Sequence, residues 1–357
     1  MLHTPFYDPA KTYYDNLEHG PFGGFADGVK VERGEARFDF LGQKISYPIG
    51  IPAGPLLDSK FVRAAFEKGW DVPVYKTVRS GEFPCHPFPN VLSVQVEGDL
   101  TPEKAAQPLV ADTAYGEPLS ITNSFGVPSR KTSEWQQDAK EAAANAGEGQ
   151  VMVMSFMGTV RQGQSPEEFI ADYAKAAELS LATGAKILEA NLSCPNIGNE
   201  GLVCYNIDTT AQVVKAIRAV IGSVPLILKV GYYKDDAPVR ELASVVAEYA
   251  DGISAINTVQ AAIIDESGAQ ALPGPNRVRS GVCGHCIKWA GLEMTQRIEK
   301  ARAALGAHFA ILGCGGVTFP QDFKEYRERG ADVVMSATGA MWNPYLAKEI
   351  REAYPEG

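Results

Sequence analysis

The stretch VMVMSFMGTVRQGQSPEEFIADYAKAAELSLATGAKILEANLS, residues 151–193, reads as one strand–helix–strand unit. Its ends, VMVMSF at 151–156 and KILEANLS at 186–193, are nearly continuous apolar runs. That is the pattern of strands buried on both faces, as in a parallel sheet covered by helices. Between them, Ser165-Pro166-Glu167-Glu168 is a capping box with proline at the first helical position, and Gly184 is a stop. Phe169, Tyr173 and Ala177 fall on one helix face. The same strand pattern recurs upstream as YPIGIPAG (47–54) and VPVYKT (72–77). Downstream it recurs as PLILKVG (225–231), GISAINT (252–258), FAILGCGG (309–316) and DVVMSA (332–337). Further helices start at Asp235, with Val239, Leu242, Val246 and Tyr249 on one face, and run over Gln321–Arg329 and Pro344–Tyr354. Eight βα units predict an α/β chain folded as a (β/α)8 TIM barrel.

The barrel accounts for residues 46–357, preceded by an N-terminal extension, 1–45, rich in Tyr, Phe and Gly and expected to pack on it as a bottom cap or oligomer contact. Two strand-to-strand intervals, about 78–150 and 259–308, are too long for a single helix. Both leave the C-terminal end of a strand, the face where barrel loops build active sites, so they are expected to be site walls or lids. The 357 residues are 45% hydrophobic and 21% charged, which excludes disordered and collagen-like classes. Lys+Arg 33 against Asp+Glu 43 gives a net charge of −10 with no basic cluster. Nucleic acid and anionic membrane surfaces are therefore not expected as partners, and a small molecule is. The start, MLHTPFYDPAKTYYDNLEHG, has no apolar leader and no stretch approaches a membrane span, so a cytoplasmic protein is expected.

Several residues stand out chemically. Gly313, Gly315 and Gly316 follow the seventh strand and precede a helix, and the eighth ends in Ser336-Ala337-Thr338-Gly339. Barrels commonly hold phosphate there, because glycines let backbone N–H groups approach an anion. Lys76 and Lys229 sit in otherwise apolar strands, where a lysine near the C-terminal end can reach the barrel mouth. Two cations at one site suit a ligand that gains negative charge during reaction, such as a reduced flavin. Asn123, Asn191, Asn196 and Asn257 cluster at strand ends, and each amide complements the N–H/C=O edge of a pyrimidine or cyclic imide. Cys194, in the same ANLSCPN segment, is a candidate general base for a proton α to a carbonyl. Cys283-Gly284-His285-Cys286 is a C-x-x-C with no second pair to complete a zinc site. It reads as a glycine-rich loop at the mouth with two incidental thiols, and no metal is expected.

Together these pieces resemble the dihydroorotate dehydrogenase family of FMN-dependent barrels, over roughly residues 45–350. The resemblance is carried by Ala53-Gly54, Lys76-Thr77, Asn123-Ser124-Phe125-Gly126-Val127, Asn191-Leu192-Ser193-Cys194-Pro195-Asn196, Lys229, Asn257-Thr258, Gly281 with Gly284, Gly315-Gly316 and Thr338. A cysteine in the NLSCPN loop is similar to the soluble class 1 enzymes, whereas the membrane-associated class 2 enzymes use serine. The resemblance implies that Cys194 takes the C5 proton while hydride passes from C6 of dihydroorotate to flavin N5. Asn123, Phe125, Gly126, Val127, Asn191, Asn196, Asn257 and Thr258 would hold the pyrimidine. Lys76 would serve catalysis between substrate and flavin. Ala53, Gly54, Thr77, Asn191, Lys229, Gly281, Gly315, Gly316 and Thr338 would bind FMN. It also admits a homodimer and an electron-transfer partner subunit. Two alternatives are a reductase of another cyclic imide, similar to dihydropyrimidine dehydrogenase, and a thiol–disulfide oxidoreductase built on CGHC.

Overall fold

A computed structural model describes residues 2–193 and 203–357. Eight parallel strands close into a barrel: β1 (Ile49–Ile51), β2 (Val72–Val78), β3 (Val153–Phe156), β4 (Ile187–Asn191), β5 (Leu226–Val230), β6 (Gly252–Ala255), β7 (Ala310–Cys314) and β8 (Val333–Met335). Each pairs with its chain neighbour, and β8 returns to β1 through Val334↔Ile49. Their continuous hydrophobicity has the expected cause. Alternate residues such as Leu188, Leu228 and Ile253 face the helices, while Val74, Val153, Ile187, Ile227, Leu312 and Met335 fill the bore.

The covering helices are α1 (Ser59–Glu67), α2 (Thr132–Ala144), α3 (Pro166–Leu181), α4 (Ile207–Ile221), α5 (Asp236–Tyr249), α6 (Lys288–Leu305) and α7 (Pro320–Glu328), with α8 (Thr338–Trp342) and α9 (Leu346–Ala353) after β8. The Ser165 capping box is complete: Glu168 N–H donates to Ser165 Oγ at 3.2 Å, and Ser165 N–H to Glu168 Oε2 at 2.8 Å. Of the N-terminal extension, the hairpin Phe38–Phe40/Gln43–Ile45 inserts Phe40 and Ile45 among the bore residues and closes the bottom. The segment before it runs to the other end. Phe6 N–H donates to Met341 of α8 at 3.0 Å, and Phe6 stacks on Phe25 with ring centroids 4.2 Å apart.

The two long excursions fold together. Val91–Val94, Leu109–Asp112 and Ser120–Asn123 come from the first, Val259–Ile264 and Arg279–Gly284 from the second. They close into a second, five-stranded sheet in which Gly281 pairs with Asn123. Arg277 joins the excursions by side-chain hydrogen bonds. Its buried guanidinium donates to the carbonyls of Pro87 (2.8 Å), Pro89 (3.0 Å) and Ser124 (3.0 Å) and to Ser124 Oγ (3.1 Å). Truncating it removes several donors at once: the Pro89 carbonyl loses the donor it has here, at about 1–3 kcal/mol, while those of Pro87 and Ser124 are left with Asn90 Nδ2. Arg277→Ala is therefore expected to destabilise the fold by roughly 2–4 kcal/mol in urea unfolding, with Arg277→Lys recovering only part, because one ammonium cannot reproduce a planar fork. An Ala variant within experimental error of wild type would refute the clamp.

Candidate active site

Two adjoining cavities occupy the barrel mouth. They share Ala53 and Gly54 after β1, Asn123 and Phe125 from the first excursion, and Asn257 and Thr258 after β6. The larger, about 100 Å³, is also lined by Tyr7, Lys229, Cys283, Cys314, Thr338 and Met341. The smaller, about 60 Å³, adds Lys76, Thr77, Gly126, Val127, Asn191 and Gly281. A cleft of about 640 Å³ among the loops that follow β4, β5 and β6 is roomier, yet of the residues singled out chemically by sequence it holds only Thr258. Convergent polar groups distinguish a site better than size does.

Around these two cavities the structure places Ala53, Gly54, Lys76, Thr77, Asn123, Phe125, Gly126, Val127, Asn191, Lys229, Asn257, Thr258, Gly281 and Thr338. Gly315 and Gly316 line neither cavity. Gly316, at φ +71°, has the backbone of Lys288 2.6 Å from where a Cβ would stand, and the Gly315 carbonyl accepts from Tyr326 Oη at 2.5 Å. Cys194 and Asn196 lie outside the described residues.

Strand ends orient the amides. Asn191 Nδ2 donates to Thr77 Oγ1 at 3.4 Å while its Oδ1 accepts from Ser193 N–H at 3.2 Å. Asn257 Nδ2 donates to the Ser193 carbonyl at 3.0 Å. Asn123 Nδ2 donates to Cys283 Sγ at 3.4 Å, as does Thr338 Oγ1 at 3.6 Å. The Asn123–Val127 turn is held from behind by buried Arg79, which donates to the Gly126 and Val127 carbonyls at 3.0 Å. Beside it, His86 is pushed down to about 4 by burial, then by Arg277 and Arg79, so it is neutral at physiological pH. Phe125 takes edge contacts from Tyr7 (5.5 Å) and Tyr13 (6.0 Å), with Lys76 Nζ 6.0 Å from its ring centre.

Lys76 and Lys229 are both buried. Lys229 Nζ donates to the Ala53 carbonyl at 3.4 Å, and no carboxylate among the described residues forms a contact ion pair with it. Beside Gly54, at φ +146°, the space where a Cβ would stand is open. A cation at one end, apolar Pro52, Pro55, Ile121 and Met341 along the walls, and glycine where a ligand must come close make a slot suited to a flat ring system that becomes anionic.

Sequence reasoning missed Cys283 and Tyr7 as cavity residues. Cys283 lies two residues after Gly281 on the strand paired with Asn123, a cue available only once that pairing is known. Nothing local marks Tyr7, which arrives by chain path. Both thiols of the C-x-x-C are free. Burial pushes Cys286 up to about 12 and raises Cys283, against the opposing hydrogen bonds of Thr338 and Asn123 and the charge of Lys229. A redox pair needs one thiolate near neutrality, and this pair is arranged the other way. At pH 8, iodoacetamide should label Cys286 in the native protein at least about 10³-fold more slowly than in the urea-unfolded chain, since an unperturbed thiol titrates near 8.5. Comparable rates by mass spectrometry would mean that the burial is wrong.

Set against known proteins, residues 100–356 match the family model described as dihydroorotate dehydrogenase. The dihydroorotate dehydrogenase of Dictyostelium discoideum is 37% identical over 363 residues, covering 97% of this chain and 96% of that protein. The catalytic subunits of dihydroorotate dehydrogenase B (NAD(+)) from Staphylococcus carnosus and Desulforamulus reducens are 34% and 32% identical. Those matches span 52% and 49% of this chain, and 58% and 55% of the two subunits.

Proposed function

We propose a reaction for this chain on a firm premise: it belongs to the dihydroorotate dehydrogenase family, whose members are flavin-dependent oxidoreductases. The reaction is oxidation of dihydroorotate to orotate with FMN as resident cofactor. The observation that carries it is the convergence of Asn123, Asn191 and Asn257 with buried Lys76 and Lys229 around two adjoining cavities. FMN, when bound, supplies the acceptor for the hydride leaving C6 of the substrate. The chain's own residues bind, orient and move the proton.

The larger cavity suits the flavin and the smaller the pyrimidine. Lys229 and the backbone around Ala53 and Gly54 hold the charged edge of the ring, with Thr77, Gly281, Gly315, Gly316 and Thr338 completing the cofactor's surroundings. Asn123, Asn191, Asn196 and Asn257 match the substrate's alternating donors and acceptors, supported by Phe125, Gly126, Val127 and Thr258. Lys76, in the wall of the smaller cavity with its ammonium 6.0 Å from the centre of the Phe125 ring, neutralises negative charge as it develops. Cys194 removes the C5 proton. Its neighbour Ser193 is tied to both Asn191 and Asn257, which supports coupling between the base-bearing loop and the substrate amides. We further propose that the enzyme works in the cytoplasm as a homodimer, its flavin reoxidised by an acceptor or partner subunit.

The test is anaerobic stopped-flow. Purified protein is expected to be yellow and to bleach on adding dihydroorotate, faster as pH rises toward the ordinary thiol value of about 8.5. Cys194→Ser should keep FMN and substrate affinity but slow bleaching by about 10²–10⁴-fold, the usual worth of a positioned base. If Cys283→Ser abolished bleaching while Cys194→Ser preserved it, the chemistry would belong to the C-x-x-C loop instead.

A further inference from the structure

Below the cavities the bore holds a carboxyl that the reaction does not use. Glu189, in β4, is fully buried, and neither of its carboxylate oxygens has a hydrogen-bond partner among the described residues. Leu188 and Ala190 pack on the helix side and Ile187 in the bore, so alternation turns Glu189 inward. An ionised carboxylate excluded from water and given no donor is among the costliest groups a fold can hold, unless a cation or a proton neutralises it.

The cation is on the next strand. Register pairs Glu189 with Ile227 and Asn191 with Lys229, which puts Lys229 one bore layer nearer the mouth. Its positive charge is the leading influence favouring ionised Glu189, against burial. The remaining groups facing the pair are weak. Ser155 of β3 lies opposite Glu189, and its hydroxyl, 3.0 Å from Thr77 Oγ1, also favours the charged form. Ser254 of β6 lies opposite Lys229 with its own hydroxyl unpartnered. Cys314 of β7 is held as a neutral thiol, pushed up to about 11 by burial. Lys229 is thus the charge that most favours ionised Glu189, while Lys76 of β2, two residues beyond Val74, is the other buried lysine at the mouth and Cys283 of the second sheet also feels Lys229.

We propose that Glu189 is the internal counter-charge of Lys229 and a positioning residue for the flavin's potential. Ionised, it draws on the lysine's field. When negative charge arrives on the ring above, Glu189 binds one proton from solvent, so the bore's net charge is conserved and Lys229 is released to the flavin. No electron passes through Glu189. This rests on the flavin reading proposed above.

The test is a redox titration of flavin-loaded wild type, Glu189→Gln and Glu189→Asp over pH 7 to 9. Removing the carboxylate should favour the reduced form by about tenfold at pH 8, a positive shift of about 30 mV for a two-electron couple, and the gap should widen about tenfold for each pH unit above that. Glu189→Asp, which keeps the charge, should stay close to wild type. Wild type should lose two powers of ten in the reduced-to-oxidised ratio per pH unit, one for each proton bound on reduction, and Glu189→Gln only one. An unchanged or negative shift in Glu189→Gln overturns the proposal. Should that variant not load flavin, the wild-type slope decides, and a single power of ten overturns it.

Wild type without any flavin would defeat the parent reading instead, and the pair is then tested on apoprotein. Burial raises the folded-state affinity of Glu189 for a proton, so its contribution to stability is present below the unfolded carboxyl range and lost as pH rises through the folded one. The urea midpoint of Glu189→Gln should thus gain on wild type between pH 5 and 8. In a Lys229→Met background that gain should be larger, because the lysine's charge is what opposes burial, and a gain no larger there than in wild type overturns the pairing.

Discussion

Closing eight parallel strands satisfies their backbone ladders and leaves a bore that must be filled, and what fills it at each height decides where chemistry can occur. Here the lower bore is apolar. Val74, Val153, Ile187, Ile227, Leu312 and Met335 meet Phe40 and Ile45 of the N-terminal hairpin, so no water column reaches the mouth from below. One layer higher the character changes to Ser155, Glu189 and Ser254, and then to Asn191 and Lys229. Polar groups at that depth are tolerable only if each finds a partner, and their proper partners lie above them in the cavities.

The mouth is not finished by the barrel. Its far wall is the five-stranded sheet made from both excursions, and Arg277 is the rivet that keeps Asn123 and Gly281 opposite one another. Arg79 and neutral His86 support the same turn from behind, while Tyr7 and Tyr13 press on Phe125 from the N-terminal segment. Three parts of the chain far apart in sequence thus meet on five residues, Asn123 to Val127. The turn is rigid because every side of it is occupied, including the place where a Cβ on Gly126 would strike His86.

Such a division explains why a thiol in the wall need not be reactive. Cys283 faces the cavity and accepts from Asn123 and Thr338, yet burial keeps its proton on. Spacing alone made it half of a C-x-x-C. Its surroundings make it a soft acceptor that links the Asn123 amide to the Thr338 hydroxyl.

The sequence by itself determined the barrel, because strands buried on both faces must be apolar throughout and the helices between them carry their own caps, as Ser165 and Glu168 do. It also determined much of the lining of the two cavities, since residues at the C-terminal ends of parallel strands converge whatever the loops do. Lys76, Asn191, Lys229, Asn257 and Thr338 were legible for that reason. Tertiary structure alone decided the rest. Antiparallel pairing between two excursions separated by more than a hundred residues leaves no local periodic mark, so the second sheet could not be read, and the thiol loop placed at the mouth gave no sign that Cys283 faces Asn123. Tyr7 enters the site through a chain path set by packing on α8. Glu189 looked like one polar residue in a strand, and only closure of the bore, by removing water from both of its oxygens, turned it into a charge that the structure has to answer.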